Sequence, residues 1–378
     1  MKKKICFVVS TTFTMQFLRK QLEEFSKDYI IHVVANIDDQ NVYILNQFPI
    51  NESKNIAIDR NINILNDFKA IYELYKYFKL NKFDSIHSIT PKAGLISAIA
   101  GKLARVNNRI HIFTGQVWAT KQGLFRSFLK FLDKIIVAFS THILVDGNSQ
   151  RNFLVSEKVL KKNQGLVLGT GSISGVDLNR FSANLDMRLK LRSELNFTDN
   201  IVVYLFLGRL NIDKGVIELA KAFNKLSKEN KNVFLLLVGD DEAHMMDKLN
   251  TIIENKKSFV FVGETDNPEY YYQASDVFCL PSYREGFGMS VIEASATKLP
   301  VICSDAYGLM DTILDNKTGL RHKVKDVEGL YNQMKKLSEN KDLRDQLGAN
   351  GLKYISDNFS SDIIVNEWVK FYKELLKK

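Results

Sequence analysis

Two short segments of the sequence carry side chains suited to binding oxygen anions. In the first, Gly208-Arg209 directly follows an apolar run, and Lys214 comes five residues after the arginine. A guanidinium offers a planar fork of donors and an ammonium a compact charge, so the pair suits a diphosphate whose negative charge grows as a bond breaks. Taken alone, an arginine and a lysine near a helix start are also typical of capping or solvent-exposed charges.

The second segment, 281–294, places a flexible turn before a helix that is predicted to begin near Gly288. Gly286 and Gly288 would let a ligand approach the backbone, and the N–H groups at a helix N-terminus suit phosphate oxygens. Glu285 lies on the turn, whereas Glu293 lies more than one turn into the helix, where its carboxylate can accept hydrogen bonds from two neighbouring hydroxyls, such as those of a ribose. Two surface glutamates on an ordinary strand-turn-helix have the same spacing, so the pattern alone leaves both interpretations open.

The elements that must position these residues are short apolar strands alternating with helix-length stretches. The predicted strands are Ile5–Val9, Ile30–Ala35, Ser85–Ile89, Ile110–Thr114 and His142–Val145 in the first half, and Ile201–Leu207, Val233–Val238, Phe259–Val262, Val277–Leu280 and Val301–Cys303 in the second. This alternation predicts an α/β protein with parallel sheets and helical crossovers. In such sheets ligands bind beyond the carboxyl ends of the strands, where both candidate segments lie.

The strand series is interrupted once, at 146–200, where four glycines precede a charged stretch. We therefore predict two Rossmann-like doubly wound domains, 1–180 and 181–360, that face each other across a cleft. A final helix at 361–378 has apolar residues at helical spacing and is expected to pack back on one domain or to bridge both.

Composition and charge limit the classes of protein. The chain has 378 residues, of which 45% are hydrophobic and 25% charged, as in compact globular proteins. Residues 1–180 carry a net charge of +11 and residues 181–378 a net charge of −2. Cys6, Cys279 and Cys303 lie in apolar runs, which predicts buried thiols in a reducing compartment. No apolar run approaches the roughly 20 residues of a membrane-spanning helix, so we expect a cytoplasmic protein.

Together, the two segments resemble a known enzyme family. Gly208-Arg209 with Lys214, and the Glu-x7-Glu arrangement of Glu285 and Glu293 within 284–294, are similar to motifs of the retaining family 4 glycosyltransferases, which have the GT-B fold of two facing Rossmann-like domains. The segments 87–94 and 113–118 resemble a branch of that family that builds bacterial surface polysaccharides, such as capsule or O-antigen.

The resemblance implies roles for individual residues. Arg209 and Lys214 would hold the diphosphate of a nucleotide-sugar donor in the second domain, and these two with Glu285 would be the catalytic residues. Glu293 would bind the ribose. The remaining donor-binding positions would be Gly208, Gly286, Phe287, Gly288 and Met289.

The first domain would bind the acceptor, a lipid-diphosphate-linked glycan. The acceptor-binding residues implied are Thr11, Thr12, His87, Lys92, Thr114, Gly115 and Gln116, with Lys92 meeting the lipid diphosphate. Hydroxyls at Thr11 and Thr12 replace the glycine-rich loop that often follows the first strand in this family. Relatives often carry a histidine near Thr114, so His111 is a further candidate for a catalytic role.

No cofactor and no metal site are expected. The sequence has no Asp-x-Asp triplet to chelate a metal–sugar nucleotide complex, and its histidines form no ligand pair at helical or strand spacing. Arg209 and Lys214 would then replace the cation. The predicted reaction is transfer of a hexose or N-acetylhexosamine, with UDP as the expected nucleotide and retention of the anomeric configuration.

The segment 121–139 is the best indication of how the acceptor is reached. Arg126, Lys130 and Lys134 recur every four residues beside several leucines and phenylalanines, a pattern typical of a helix lying on an anionic membrane surface. A helix that packs its apolar face on the sheet has the same periodicity. If the first interpretation holds, the enzyme is peripheral on the inner face of the cell membrane.

Two other functions fit part of the sequence. A UDP-sugar epimerase of the same fold would use the same donor residues without a glycan acceptor. A nucleic-acid-binding protein would use the basic first half, but no recognisable module or basic-aromatic repeat is present, so we expect no nucleic-acid partner.

Overall fold

The computed structural model describes residues 2–39, 41–59 and 63–377, and these form two compact units. The first unit runs to Ser174 and includes the C-terminal segment from Ser361, and the second is Gly175–Ser360. The boundary after Ser174 lies close to the predicted position 180. Met1 and Lys378, the outermost residues of the predicted domains, lie outside the described residues.

The first unit is built on one parallel sheet. Its strands are β1 Lys3–Val8, β2 Tyr29–Ala35, β3 Glu52–Asn55, β4 Ser85–Ile89, β5 Asn108–Phe113 and β6 His142–Val145. Its helices are α1 Arg19–Asp28, α2 Val42–Leu45, α3 Ile64–Asn81, α4 Pro91–Leu103, α5 Gly123–Phe139 and α6 Asn148–Ser156, with short 3-10 helices at Thr12–Leu18 and Val117–Thr120. Within the described residues the strand order is β3-β2-β1-β4-β5-β6.

The second unit repeats this plan. Its strands are β7 Val202–Leu207, β8 Val233–Val238, β9 Phe259–Gly263, β10 Val277–Leu280, β11 Val301–Ser304 and β12 Leu320–His322. Its helices are α7 Leu185–Glu194, α8 Val216–Glu229, α9 Met245–Ile252, α10 Pro268–Ala274, α11 Met289–Ala296, α12 Val327–Glu339 and α13 Lys341–Phe359, with 3-10 helices at Ile212–Lys214, Lys256–Ser258 and Tyr307–Leu309. Among the described strands the order β9-β8-β7-β10-β11-β12 matches that of the first unit.

Both sheets are parallel and covered by helices on both faces, which explains their continuous apolar strands. The strand order reverses between β1 and β4 in the first unit and between β7 and β10 in the second. These two switch points are where ligands bind in doubly wound sheets. The predicted α/β fold of two doubly wound domains is therefore confirmed.

The last helix, α14 Ser361–Leu376, packs on the first unit. Its Trp368 and Tyr372 are fully buried in the core that also contains Phe7 and Phe25. The ring of Tyr372 lies 4.7 Å from that of Phe25, measured between centroids. Of the two arrangements predicted for this helix, the structure shows packing on one unit, and the chain leaves and rejoins that unit to complete its core.

Two edge strands, β3 and β12, were not predicted from the sequence. The residues of β3 are all exposed, so the strand has no apolar run, and β12 has only 3 residues. The ten predicted strands are present with shifts of one or two residues at their ends. The three cysteines are buried and unbonded, as predicted.

Candidate active site

The switch point of the second unit brings the two predicted anion-binding segments together. The loop after β7 carries Lys214, and the loop after β10 carries Glu285. The Lys214 Nζ atom lies 2.5 Å from the Glu285 Oε1 atom, and the Ser282 hydroxyl donates a 2.7 Å hydrogen bond to that same oxygen. Both side chains of the ion pair are mostly covered, with 21% and 12% exposed. The predicted cation and carboxylate thus form one cluster.

Arg209 is more exposed and contacts a carboxylate that the sequence did not single out. Its Nη1 donates to the Glu242 Oε2 atom at 2.6 Å, and half of its side chain remains exposed. A guanidinium has five N–H donors and an ammonium has three. One hydrogen bond to Glu242 and one to Glu285 therefore leave Arg209 and Lys214 with further donors for oxygen anions.

A second ion pair joins the same two loops. Arg284 Nε donates to the Asp213 Oδ2 atom at 2.8 Å, and the backbone N–H of Tyr283 donates to the Asp213 carbonyl at 2.7 Å. Asp213 precedes Lys214 and Arg284 precedes Glu285. These contacts therefore hold the backbone on either side of the Lys214–Glu285 pair.

Gly215 permits the close approach of these loops. It has a φ of 71°, and a Cβ atom at this position would lie 2.1 Å from the Pro281 carbonyl oxygen. Gly288 also has a left-handed backbone, with a φ of 66°, and forms the N-cap of α11. The first N–H groups of α11 accordingly point along the helix axis toward the loop that carries Glu285.

The other predicted donor-binding residues lie in different surroundings: one makes a polar contact, one is in the core, and the rest are partly exposed. The Glu293 Oε2 atom accepts a 2.9 Å hydrogen bond from the Tyr272 hydroxyl, and burial raises the pKa of the Glu293 carboxyl although that hydrogen bond opposes the rise. Phe287 is only 4% exposed and packs on Phe359, so its side chain belongs to the core of the second unit. Gly208, Gly286 and Met289 lie on the two loops at partly exposed positions.

At the switch point of the first unit, two hydroxyl groups connect the loops that follow β1 and β4. The Ser10 and Thr90 hydroxyl oxygens, from the loops after β1 and β4, lie 2.8 Å apart. Thr90 has a φ of 76°, which is unusual for a β-branched residue and is found where a site constrains the backbone. Of the predicted residues nearby, Thr11 is partly exposed and Thr12 is buried.

Lys92 begins α4 beside this hydroxyl pair. Its Nζ atom lies 2.7 Å from the Asp67 Oδ1 atom in the first turn of α3. The side chain is 13% exposed. Lys92 thus lies at the predicted end of the sheet, with part of its charge balanced by Asp67.

Two histidines of the first unit, His87 and His111, are buried. His87 is fully buried, its ring stacks on Trp368, and its Nδ1 atom lies 2.8 Å from the Tyr372 hydroxyl. His111 is buried with its Nδ1 atom 3.0 Å from the Ser88 hydroxyl. Burial lowers the pKa of both histidines to about 3. The structure therefore places the predicted acceptor residue His87 in the core, where it anchors α14, and His111 likewise faces the interior.

The other predicted acceptor residues follow β5. Thr114 and Gly115 are partly exposed at the carboxyl end of that strand, whereas Gln116 is buried. They lie one strand away from the switch point, and their role toward an acceptor stays a prediction.

Helix α5 leaves part of its apolar surface exposed. Leu124, Phe128 and Phe131 are 90%, 46% and 58% exposed, whereas Asp133 is buried and accepts a 2.7 Å hydrogen bond from the Trp118 indole nitrogen. Burial raises the pKa of Asp133 to about 6, although this hydrogen bond opposes the rise. On the other side of the helix, Leu129, Ile136 and Val137 belong to the core that includes residues of β5 and β6. One side of α5 therefore packs on the sheet, as one of the two interpretations predicted, while other apolar side chains of the helix remain exposed.

The cations of α5 are not equivalent. Arg126 and Lys130 both contact Glu157 at the end of α6, at 2.8 and 2.6 Å, and both lie over the ring of Trp118. Lys134 is exposed and has no ion pair among the described residues. The predicted basic stripe is thus divided into two cations that share one carboxylate and one exposed cation without an ion pair among the described residues.

Several residues of these sites were not predicted from the sequence, because their role is to contact the predicted residues and not to bind a ligand themselves. Glu242, Asp213, Arg284, Tyr272, Ser10 and Thr90 contact the predicted residues or join their loops. Their common signal is a polar residue just after a predicted strand, which Ser10, Thr90 and Glu242 share. Among the described residues, no group of three His, Cys, Asp or Glu side chains is placed to hold a metal ion, and no helix is long and apolar enough to cross a bilayer.

Comparison with known protein families matches both halves of the chain. Residues 187–354 match the model "Glycosyl transferases group 1", and residues 4–147 match "Glycosyl transferase 4-like". The capsular polysaccharide biosynthesis glycosyltransferase CapM of Staphylococcus aureus is 29% identical over 100% of this chain and 98% of its own.

Two further proteins extend the comparison. The UDP-Gal:alpha-D-GlcNAc-diphosphoundecaprenol alpha-1,3-galactosyltransferase of Escherichia coli is 27% identical over 75% of this chain and 73% of its own. Among solved structures, Anabaena HepE in complex with UDP-glucose superimposes with a TM-score of 0.82 over 98% of this chain and 99% of that chain, at 18% identity.

Proposed function

The chain belongs to the group 1 glycosyltransferases with a 4-like first half, and on that premise we propose that it transfers a sugar from a UDP-linked donor to a lipid-diphosphate-linked glycan. It is a glycosyltransferase of bacterial capsule or surface-polysaccharide assembly. The transferred sugar in this proposal is a hexose or N-acetylhexosamine. The E. coli relative, whose name gives UDP-Gal as the donor and a diphosphoundecaprenol-linked sugar as the acceptor, supports this choice of donor and acceptor.

The observation that carries the donor assignment is the cluster at the second switch point. Lys214 and Arg209 present N–H donors there, and the N-terminus of α11 adds backbone donors and a positive helix end. In the proposed reaction the bond between the anomeric carbon and the diphosphate oxygen breaks, and the two cations stabilise the negative charge that develops on the departing diphosphate. This cluster supports a mechanism without a metal ion, because side-chain cations take the position of one.

Glu285 and Glu293 have different proposed roles. Glu285 is held by Lys214 and Ser282, so we assign it to orienting the donor sugar and balancing the charge of Lys214. Glu293 retains the proposed role of binding the ribose, with Tyr272 fixing its carboxylate. The acceptor hydroxyl is proposed to enter on the face that the leaving group vacates, which retains the anomeric configuration.

The first unit is proposed to bind the acceptor at its own switch point. Ser10, Thr90 and the neighbouring Thr11 offer hydroxyls to a glycan, and Lys92 offers a cation to the lipid diphosphate. The exposed apolar surface of α5 supports peripheral attachment to the inner face of the cell membrane, where such an acceptor would lie. His87 and the side chain of Phe287 are left out of the proposed sites, because both are in the cores.

A product assay tests this function. The enzyme is incubated with a panel of UDP-sugars and membrane lipids from a polysaccharide-producing bacterium, and the lipid fraction is examined by mass spectrometry. A mass increase of one sugar residue in the lipid-linked glycan is expected. Conversion of a UDP-sugar to its epimer without any acceptor would instead identify an epimerase.

A further inference from the structure

A basic cavity lies at the C-terminal end of α5 in the first unit. Its volume is about 700 Å³, within the range of small-molecule sites. The lining combines the lysines 134, 158, 161 and 162 with apolar side chains that include Val137 and Leu160. The cavity belongs to neither of the sites described above.

The charge of this cavity is not balanced by the protein. None of the four lysines has an acidic partner within 4 Å among the residues that the structure describes. Arg126 and Lys130, two turns and one turn before Lys134 on α5, are both paired with Glu157. The positive potential of this region is therefore concentrated at the cavity, where it would attract an anion.

The cavity is continuous with the exposed apolar surface of α5. Phe131, Lys134 and Ala138 follow one another at spacings of three and four residues, so they lie on one side of the helix. Phe131 is 58% exposed, and both Lys134 and Ala138 line the cavity. An apolar helix side that leads into an unbalanced basic pocket matches the arrangement of a bilayer, in which acyl chains lie beside anionic headgroups.

We propose that this cavity binds the headgroup of an acidic phospholipid while the exposed apolar surface of α5 enters the bilayer. The inference rests on the membrane attachment proposed above. It assigns the binding of the anionic headgroup to Lys134, Lys161 and Lys162. In this proposal Arg126 and Lys130 do not contact the lipid, because both form ion pairs with Glu157.

Vesicle sedimentation of the full chain tests the assignment. The triple variant Lys134→Gln, Lys161→Gln, Lys162→Gln should bind phosphatidylcholine vesicles containing phosphatidylglycerol roughly 100-fold more weakly than the wild type, since each lysine near an anionic surface contributes about fivefold. The matched control Lys221→Gln, Lys248→Gln, Lys257→Gln removes the same charge from exposed sites of the second unit and should bind like the wild type. Equal unfolding temperatures of the three proteins show that folding is unchanged.

Three outcomes would overturn the assignment. The first is that the cavity variant binds the vesicles as well as the wild type does, and the second is that the control variant binds them as weakly as the cavity variant. The third is that millimolar inorganic phosphate displaces the wild type from the vesicles, which would indicate a soluble anion as the ligand. Transfer to an acceptor dispersed in detergent is measured in parallel. Loss of vesicle binding with retained transfer supports the cavity, whereas absence of transfer in all the proteins contradicts the proposed function instead.

Discussion

The loops at the first switch point are joined by two hydroxyls, Ser10 and Thr90, whereas those at the second are joined by the ion pairs Lys214–Glu285 and Asp213–Arg284. The strand order around the two points is the same. One topology therefore builds two binding edges, and the residues placed after the strands decide their chemistry. Hydroxyls suit a neutral glycan, and cations suit a diphosphate, which is the division of labour that we propose.

The surfaces of the two units differ in the same sense. Among the described residues, the first unit exposes the large aromatic side chains Phe13, Phe17, Tyr43, Phe68, Tyr72, Phe125, Phe128 and Phe131, whereas the second exposes Tyr270. Three of them, Phe125, Phe128 and Phe131, lie on the one helix α5, and a contiguous exposed apolar patch marks an interaction surface. The contrast supports membrane contact through the first unit.

The largest expected effect is the destabilisation of the first unit, but not of the second, by a substitution in the core of the first. Trp368→Ala removes a fully buried indole from the core between α14 and the first sheet, which should cost about 3–5 kcal/mol. Amide hydrogen exchange should then accelerate in β1 and β4 but not in β7 and β10. Trp368→Phe, which keeps an aromatic ring, should give a smaller change, and equal acceleration in both sheets would contradict the separate cores.

The next effect concerns the charged switch point. Lys214→Ala should lower kcat/KM by about 100- to 1000-fold, because the cation stabilises charge in the transition state. Because the ion pair is mostly covered, the substitution also lowers the unfolding free energy, so the unfolding temperature of the variant is measured beside its turnover. Lys221→Ala on the surface of α8 is the control, and a Lys214→Ala enzyme with wild-type turnover would remove the site assignment.

The sequence predicts a feature well when neighbouring residues along the chain determine it, and poorly when distant segments do. The central strands were recognisable from short apolar runs such as 202–207, since a strand covered on both faces is apolar throughout. The edge strands β3 and β12 lack such runs because the residues of β3 are all exposed and β12 has only three residues, of which Arg321 and His322 are polar. Their pairing is specified by β2 and β11, far along the chain.

The candidate site shows the same limit. Lys214 and Glu285 stand out by type and spacing, but the contact between them joins residues 71 positions apart. The pairing of Arg126 and Lys130 with Glu157 depends on how α5 and α6 pack, so periodicity alone could not show that two of the three cations share a carboxylate. His87 was predicted to bind the acceptor, yet it lies in the middle of β4, where α14, which returns from the end of the chain, covers it.

A smaller effect is expected at the hydroxyl switch point. Ser10→Ala removes one neutral hydrogen bond, worth about 1 kcal/mol, and should raise the KM for the acceptor about fivefold. The KM for the donor should not change, because the hydroxyl lies in the first unit. A rise in the donor KM alone would contradict the division between the units.

The smallest effect tests the loop contact of Asp213. Arg284→Gln breaks an ion pair whose side chains are 26% and 30% exposed, so a loss of about 0.2–1 kcal/mol is expected. Donor KM should rise about two- to fivefold with kcat nearly unchanged, as measured by initial rates. A large fall in kcat would show that Arg284 contacts the reacting groups directly.

The most direct measurement is a calorimetric titration of UDP into the wild type and the Lys214→Ala variant, each with excess EDTA and with excess Mg²⁺. Our account predicts that the wild type binds UDP equally well under both conditions and that the variant binds it much more weakly under both. Loss of wild-type binding in EDTA, or wild-type affinity in the variant, would contradict a diphosphate held by side-chain cations at the second switch point.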